Sequence, residues 1–315
     1  MMPASRVAFF DIGTNTILLL VAEIGANGSF TVLDDVAEIA RLGQGVDVNS
    51  RISADAESRA LGVLRHYLTH CRQLHVQECV AVGTSALRDA ANSTEVRARL
   101  KAQLGLEIRV LSGHEEAAYS FLAVQRGLQT TAKAVLVVDI GGGSTEFIWG
   151  DAGGMSRAIS INIGSVRLTE RFLRSDPVTD EECARMVTFI DQEVGRLGHR
   201  DGRISEGLSL VGIAGTFTTL AAVEKRLMRY SHYEVHGSLL TLSEVTRQVK
   251  LYQSIPVAER RQIPGLEPKR ADVILAGAWL VQRIMQAFGV QQITVSDQGV
   301  RYGLLYERLG ATKNC

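Results

Sequence analysis

Prolines are scarce, five in 315 residues, so no Pro-rich linker divides the chain and any hinge has to be sought in its repeats. The four cysteines, Cys71, Cys79, Cys183 and Cys315, include no C-x-x-C pair. That excludes zinc-ribbon and thioredoxin-type motifs and reads as reduced thiols rather than disulfides. Net charge is absent too: Lys+Arg 34 balances Asp+Glu 34. No global field draws the chain to nucleic acid or to a membrane surface, and an anion has to be held locally. Seven histidines form no H-x-x-H or H-E-x-x-H pattern, and no G-x-S-x-G elbow is present, which argues against zinc and serine hydrolase chemistry. The apolar run "VAFFDIGTNTILLLVAEI" at residues 7–24 carries Asp11, Asn15 and a Gly-Thr-Asn break. It reads neither as a signal peptide nor as a span of about 20 apolar residues, and a cytoplasmic protein is expected.

What is present is a 46% hydrophobic chain long enough for two domains. A short pattern occurs twice, "AFFDIGTNTILLLVAEI" at residues 8–24 and "LVVDIGGGSTEFIWG" at 136–150. Each gives a strand, Asp, Ile, Gly, small turn residues, a hydroxyl and a second strand. The pair reads as one hairpin used in two related α/β halves facing each other across a cleft. Elsewhere strands alternate with helices, which predicts an α/β class with mixed sheets. The helical period over 53–74 places Leu61, Leu64, Leu68, Cys71 and Leu74 on one face behind a Ser53 N-cap. We divide the chain into residues 1–123 and 124–315, with the hinge inside the helix that follows Glu116.

Glycine turns present backbone N–H groups into a concavity, because glycine has no Cβ to hold an oxygen away. Gly13, Thr14 and Asn15 form one such turn and Gly141, Gly142, Gly143, Ser144 and Thr145 the other, with hydroxyls as added donors. Asp11 and Asp139 end the strands before them, placed to hold Mg²⁺ through water, and Glu146 follows the second turn. An ordinary tight hairpin is the alternative. In "SGHEE", Ser112 and Glu115 have capping-box spacing. Glu116 then stands in the first helical turn as a general base, or as a solvated carboxylate favoured by the dipole. Arg88 follows a strand and a small-residue turn, where α/β sheets meet ligands, although a surface arginine is the alternative. Gly215 and Thr216 open an apolar helix as a phosphate or nucleoside site, or as a plain Thr cap. Lys269, Arg270 and Arg301 are candidate counter-charges on the cleft wall.

In order along the chain, "FFDIGTNTILLL", "VGTSALRDAAN", "LSGHEEA", "VVDIGGGSTEF", "NIGSVRLTERF", "GIAGTFTTLAA", "RADVI" and "VSDQGVRYGLL" resemble the exopolyphosphatase and guanosine pentaphosphate phosphohydrolase (Ppx/GppA) family, from about residue 7 to residue 309. The resemblance implies two ribonuclease H-like domains of the actin, sugar kinase and heat-shock chaperone ATPase superfamily around a central cleft, with the last helix crossing back to the first domain. It aligns Glu116 with the family's catalytic glutamate, Arg88 with its phosphate-contacting arginine, Asp139 and Glu146 with the acidic residues of the second phosphate loop, and residues 141–144 with that loop. It also suggests a homodimer. Leu18 stands where some relatives carry an arginine linked to guanosine recognition. Longer relatives continue into a helical region that grips long polyphosphate; this chain ends at Cys315, which implies shorter substrates or lower processivity.

The expected activity is Mg²⁺-dependent hydrolysis of the terminal phosphoanhydride of polyphosphate. Removal of the 5′ γ-phosphate of guanosine pentaphosphate is the alternative, and a superfamily kinase or a non-catalytic alarmone sensor are further ones.

Overall fold

The computed structural model describes residues 5–26, 28–129, 132–198 and 208–312; Cys315 lies outside the described residues. In chain order the elements are β1 (Ser5–Ile12), β2 (Thr16–Ile24), β3 (Phe30–Ile39), α1 (Val46–Asn49), α2 (Ala54–Gln73), β4 (Glu78–Gly83), α3 (Ser85–Asp89), α4 (Ser93–Leu104), β5 (Ile108–Val110) and α5 (Gly113–Gly127). There follow β6 (Ala134–Ile140), β7 (Thr145–Asp151), β8 (Gly154–Ile161), α6 (Ser165–Phe172), α7 (Asp180–Gly198), β9 (Leu208–Ile213), α8 (Ala214–Glu224) and α9 (His232–Val235). The last are β10 (Leu239–Thr241), α10 (Leu242–Ser254), α11 (Val257–Arg260), a 3-10 turn at Pro268–Arg270, α12 (Ile274–Ala287), β11 (Gln292–Val295) and α13 (Val300–Thr312). The chain divides into two compact units, Met1–Ala123 with Val300–Cys315, and Val124–Gly299.

In the first unit the strand order is β3-β2-β1-β4-β5. β1 runs antiparallel to β2 and parallel to β4, which is parallel to β5. The alternation of β1 explains its unbroken apolar run, since both faces are covered. Ala8, Phe10 and Ile12 pack with Ala56, Ala60 and Leu64 of α2, whereas Val7 and Phe9 pack with Leu304, Leu305 and Leu309 of α13. Ser53 caps α2, its hydroxyl accepting from the Ala56 N–H at 3.2 Å. The helix face is rotated from the expected one. Ala56, Ala60, Leu64, Tyr67 and Cys71 are buried, while Leu61, Leu68 and Leu74 flank the core half-buried, because small alanines let the helix approach the sheet closely.

The second unit repeats this plan with one added edge strand, in the order β10-β11-β9-β6-β7-β8. β6 is antiparallel to β7 and parallel to β9, which is parallel to β11. The doubled hairpin is therefore real in three dimensions. Gly13 N donates to Thr16 O and Gly141 N to Ser144 O, each at 3.0 Å, so the two turns close in the same way. Two mixed sheets, each a hairpin extended by parallel strands with helices on its faces, are the ribonuclease H-like arrangement expected for the superfamily. Cys71, Cys79 and Cys183 are free thiols. Among the described residues no helix is long and apolar enough to cross a membrane.

Candidate active site

Ligands of open α/β sheets collect beyond the carboxyl ends of parallel strands, and in each unit the candidate residues stand there. In the first unit, β1 ends in Asp11 and the turn Gly13–Thr14–Asn15; β4 leads through Thr84 into α3 with Arg88; β5 leads into α5 with Glu116. Thr84 N donates to Ile12 O at 3.2 Å and Leu111 N to Gly83 O at 2.9 Å, which ties the three strand ends together.

The start of α5 is fixed by the capping box. Ser112 N and Oγ each donate to Glu115 Oε2 at 2.8 Å, and Glu115 N donates back to Ser112 Oγ at 3.2 Å. With Glu115 so engaged, Glu116 lies on the next face and is buried, 7% exposed, which overturns the solvated-carboxylate alternative. Arg88 Nη1 donates to Glu116 Oε2 at 2.7 Å and to Leu111 O at 3.4 Å, and its Nε is 3.8 Å from Asp89. Burial pushes the Glu116 carboxyl above the usual carboxylate range, against the opposing pull of the Arg88 hydrogen bond and charge. A carboxylate poised in this way suits proton transfer.

The turns are backed on their carbonyl side. Gly43 N donates to Thr14 O at 2.9 Å, and Ala40 N and Arg41 N donate to Asn15 O at 3.1 and 2.9 Å. In the second unit Ser165 N donates to Gly141 O at 3.0 Å, and Val166 N and Arg167 N to Gly142 O at 2.9 and 3.0 Å. Arg167 Nε reaches Gly143 O at 2.8 Å. A trans peptide points its C=O and N–H in opposite directions. Carbonyls held from behind therefore aim the N–H groups of Asn15, Thr16, Gly142, Gly143 and Ser144 outward, as an anion nest requires. Two glycines make the backing possible by close approach. A Cβ on Gly43 would come within 2.4 Å of Thr14 Cγ2, and one on Gly164 within 2.5 Å of the Gly142 carbonyl. Asn15 is buried, and neither polar atom of its side chain has a hydrogen-bond partner among the described residues.

The carboxylates beside the two turns differ. Asp139 lies directly opposite Glu146 across the β6–β7 pair, which puts both side chains on one face of the sheet, and Glu146 accepts from Ser160 Oγ at 2.8 Å. At the matching place in the first hairpin, Asp11 lies opposite Leu18. Among the described residues no group of three or more His, Cys, Asp or Glu side chains is arranged to hold a metal ion. Asp139 and Glu146, on one face beside the second turn, are hard oxygen donors of the kind that Mg²⁺ takes together with waters and substrate oxygens.

Other candidates take different places. Thr145 is fully buried and donates to Ile163 O at 2.6 Å, so its proton braces the strand instead of serving a ligand. α8 follows β9 with no side-chain cap, which corrects the Thr-cap alternative: Thr216 is buried against Gly277, while Thr218 and Thr219 donate back to Ala214 O and Gly215 O. A Cβ on Gly215 would come within 2.1 Å of Arg270 Nη1; the guanidinium covers that helix start, and burial pushes its pKa down. Lys269 is exposed. Arg301 is no loose counter-charge, because it pairs with Asp35 through Nε and Nη2 at 2.8 and 3.0 Å. The sequence reading missed the backing residues Gly43, Gly164 and Arg167, although "NIGSVRLTERF" stood among the motifs.

A model of the Ppx/GppA phosphatase family matches residues 20–312. The chain belongs to the Ppx/GppA phosphatase family. Exopolyphosphatase 2 of Mycobacterium tuberculosis is 32% identical over 98% of this chain and 100% of its own length. A bifunctional 3-dehydroquinate synthase/phosphatase of Fusobacterium nucleatum is 32% identical over 95% of this chain, which spans 46% of that larger protein. Among solved structures, the Ppx/GppA family member of Aquifex aeolicus superposes with a TM-score of 0.80 at 34% identity, covering 98% of this chain and 99% of the other. An exopolyphosphatase from Cytophaga hutchinsonii gives 0.89 at 29% identity, covering 98% of each. As a Ppx/GppA protein the chain is an enzyme, a phosphoanhydride hydrolase.

Proposed function

We propose that this Ppx/GppA protein is an exopolyphosphatase that hydrolyses the terminal phosphoanhydride of inorganic polyphosphate and releases orthophosphate. The observation that carries this reading is the grouping, within one unit, of a backed anion turn, Arg88 and a buried Glu116 at the carboxyl ends of β1, β4 and β5. Relatives named exopolyphosphatase that match nearly the whole chain add support.

Water attacks the terminal phosphorus as the bond to the leaving chain breaks, and Glu116 orients that water and takes its proton. Phosphoryl transfer needs little covalent help, so positioning and charge neutralisation carry the rate. The outward N–H groups of Asn15 and Thr16, and in the second unit those of Gly142, Gly143 and Ser144 with the Ser144 hydroxyl, are the donors for phosphate oxygens, and Arg88 balances charge at the first turn. Arg270, whose guanidinium covers Gly215 and the start of α8 where Thr216 is buried, is a further candidate for substrate contact. Asp11, and Asp139 with Glu146, are the residues that would hold Mg²⁺, which when bound neutralises phosphate charge.

The alternative substrate, guanosine pentaphosphate, calls on the same residues; Leu18 in place of a guanosine-reading arginine favours polyphosphate. A sensor has no need of a base such as Glu116, and a kinase would need an acceptor hydroxyl. Free thiols and balanced charge support a cytoplasmic location, and a homodimer is expected. Phosphate release from polyphosphates of several lengths and from guanosine pentaphosphate, with Mg²⁺ and with Glu116→Gln as control, tests the reading. Turnover of guanosine pentaphosphate alone would replace it, and binding without turnover would make the protein a sensor.

A further inference from the structure

Both anion turns are braced from behind by an arginine on a helix that follows the hairpin's own sheet segment, α2 in the first unit and α6 in the second, and neither arginine was among the candidate site residues. In the second unit Arg167, in the first turn of α6, places Nε 2.8 Å from Gly143 O. The peptide that carries this carbonyl also carries the Ser144 N–H. A guanidinium on its oxygen fixes the direction of that N–H and, by polarising the peptide, strengthens it as a donor. In the first unit the brace is one step longer. Arg59 of α2 donates through Nε to Ala40 O at 2.9 Å, and through Nη2 to Arg41 O at 3.2 Å and Gln44 Oε1 at 2.9 Å. Ala40 and Arg41 are the residues whose N–H groups hold Asn15 O. Arg41 has φ 52°, left-handed for a residue with a Cβ, a conformation that persists only when neighbours enforce it.

We propose that Arg167 and Arg59 are positioning residues for phosphate binding, each orienting the outward N–H groups of one turn through the backbone, without touching the ligand. This rests on the reading of the turns as phosphate sites.

The test uses the full chain with Arg167→Met, Arg167→Lys, Arg59→Met and Arg59→Lys, measuring KM and kcat on polyphosphate and the affinity for tripolyphosphate by its stabilisation against heat. The expected result is a KM and a tripolyphosphate Kd raised about tenfold in the Met variants, the scale of a lost charge-assisted hydrogen bond. The Lys variants, which keep a cationic donor, recover part of the loss. Wild-type affinity and KM in folded Met variants, even with a lower melting temperature, would reduce the arginines to structural braces and overturn the inference. If a Met variant fails to fold, the Gln variant at the same position, which removes the charge, takes its place with the same two outcomes. A wild-type chain that neither binds nor hydrolyses these anions overturns the phosphate reading itself.

Discussion

Arg88 Nη1 donates to Glu116 Oε2 across 2.7 Å, joining the short helix after β4 to the first turn of α5. The contact gives the buried carboxylate a partner and a fixed direction. Glu116→Gln keeps the shape and an acceptor for Arg88 but cannot take a proton. Phosphate release is expected to fall by about 10²–10⁴, the contribution of a positioned base, with an unchanged thermal unfolding curve. Near-normal turnover would remove Glu116 from the mechanism.

The same pair sets a pH dependence. Burial raises the Glu116 pKa while Arg88, by hydrogen bond and charge, holds it back. A base works when deprotonated, so activity rises with pH through this pKa. Arg88→Met removes the restraint, and the acidic limb of its kcat/KM profile is expected to move to higher pH than in wild type. A limb that stays in place would show that another group titrates there.

The hairpin duplication was legible because it rests on local pattern: apolar alternation on each side of a glycine turn, printed twice. The Ser112–Glu115 box was legible for the same reason, as both partners sit three residues apart. Arg88 and Glu116 could each be marked as candidates, but their pairing spans 28 residues, and Arg301 finds Asp35 across 266. No local period encodes such partners. The core face of α2 was misjudged because leucines announce themselves and alanines do not, although close packing on a sheet favours the smaller side chain. A Thr cap is one of two readings that composition allows at the start of α8, and the backbone excludes it, because the strand runs straight into the helix at Ala214, whose φ is 68°.

Close approach at Gly164 yields a steric prediction. A Cβ there would sit 2.5 Å from the Gly142 carbon and oxygen and 2.7 Å from Gly143 N, with backbone that cannot swing aside. Gly164→Ala is expected to cost about 1–3 kcal/mol of stability, as overpacking does, and to raise KM for polyphosphate by displacing the turn. Gly195→Ala, where no heavy atom lies within 4 Å of the added Cβ, is the control. Equal behaviour of the two variants in denaturation and kinetics would mean that the turn absorbs the methyl group.

Glu182 governs part of the acid stability. Its carboxylate accepts from Thr179 N at 3.0 Å, Arg174 N at 2.9 Å and Ser175 N at 3.1 Å. The Thr179 N–H leads in holding its pKa down to about 2, from an ordinary 4.5, with burial opposing. A depressed carboxylate pKa contributes stability above the unfolded value and loses it as pH falls through the folded one. The stability advantage of wild type over Glu182→Gln is therefore expected to be full above pH 4.5 and to fade toward pH 2, read by denaturant titration across that range. A difference that does not vary with pH would assign the effect to packing.

The Asp35–Arg301 pair closes the first unit by fastening α13 to β3. Both side chains are buried, 4% and 6% exposed, and Tyr302 OH adds a hydrogen bond to Asp35 Oδ2 at 2.9 Å. A buried pair contributes little beyond an apolar replacement of like volume, yet removal of one partner strands a charge without compensation. Asp35→Ala is therefore expected to cost about 3–5 kcal/mol, whereas Asp35→Leu with Arg301→Met costs much less, since the stranded charge is gone. Chemical denaturation of the single and double variants measures the contrast. If the double variant is as unstable as Asp35→Ala, the loss comes from packing and from the Tyr302 hydrogen bond and not from a stranded charge.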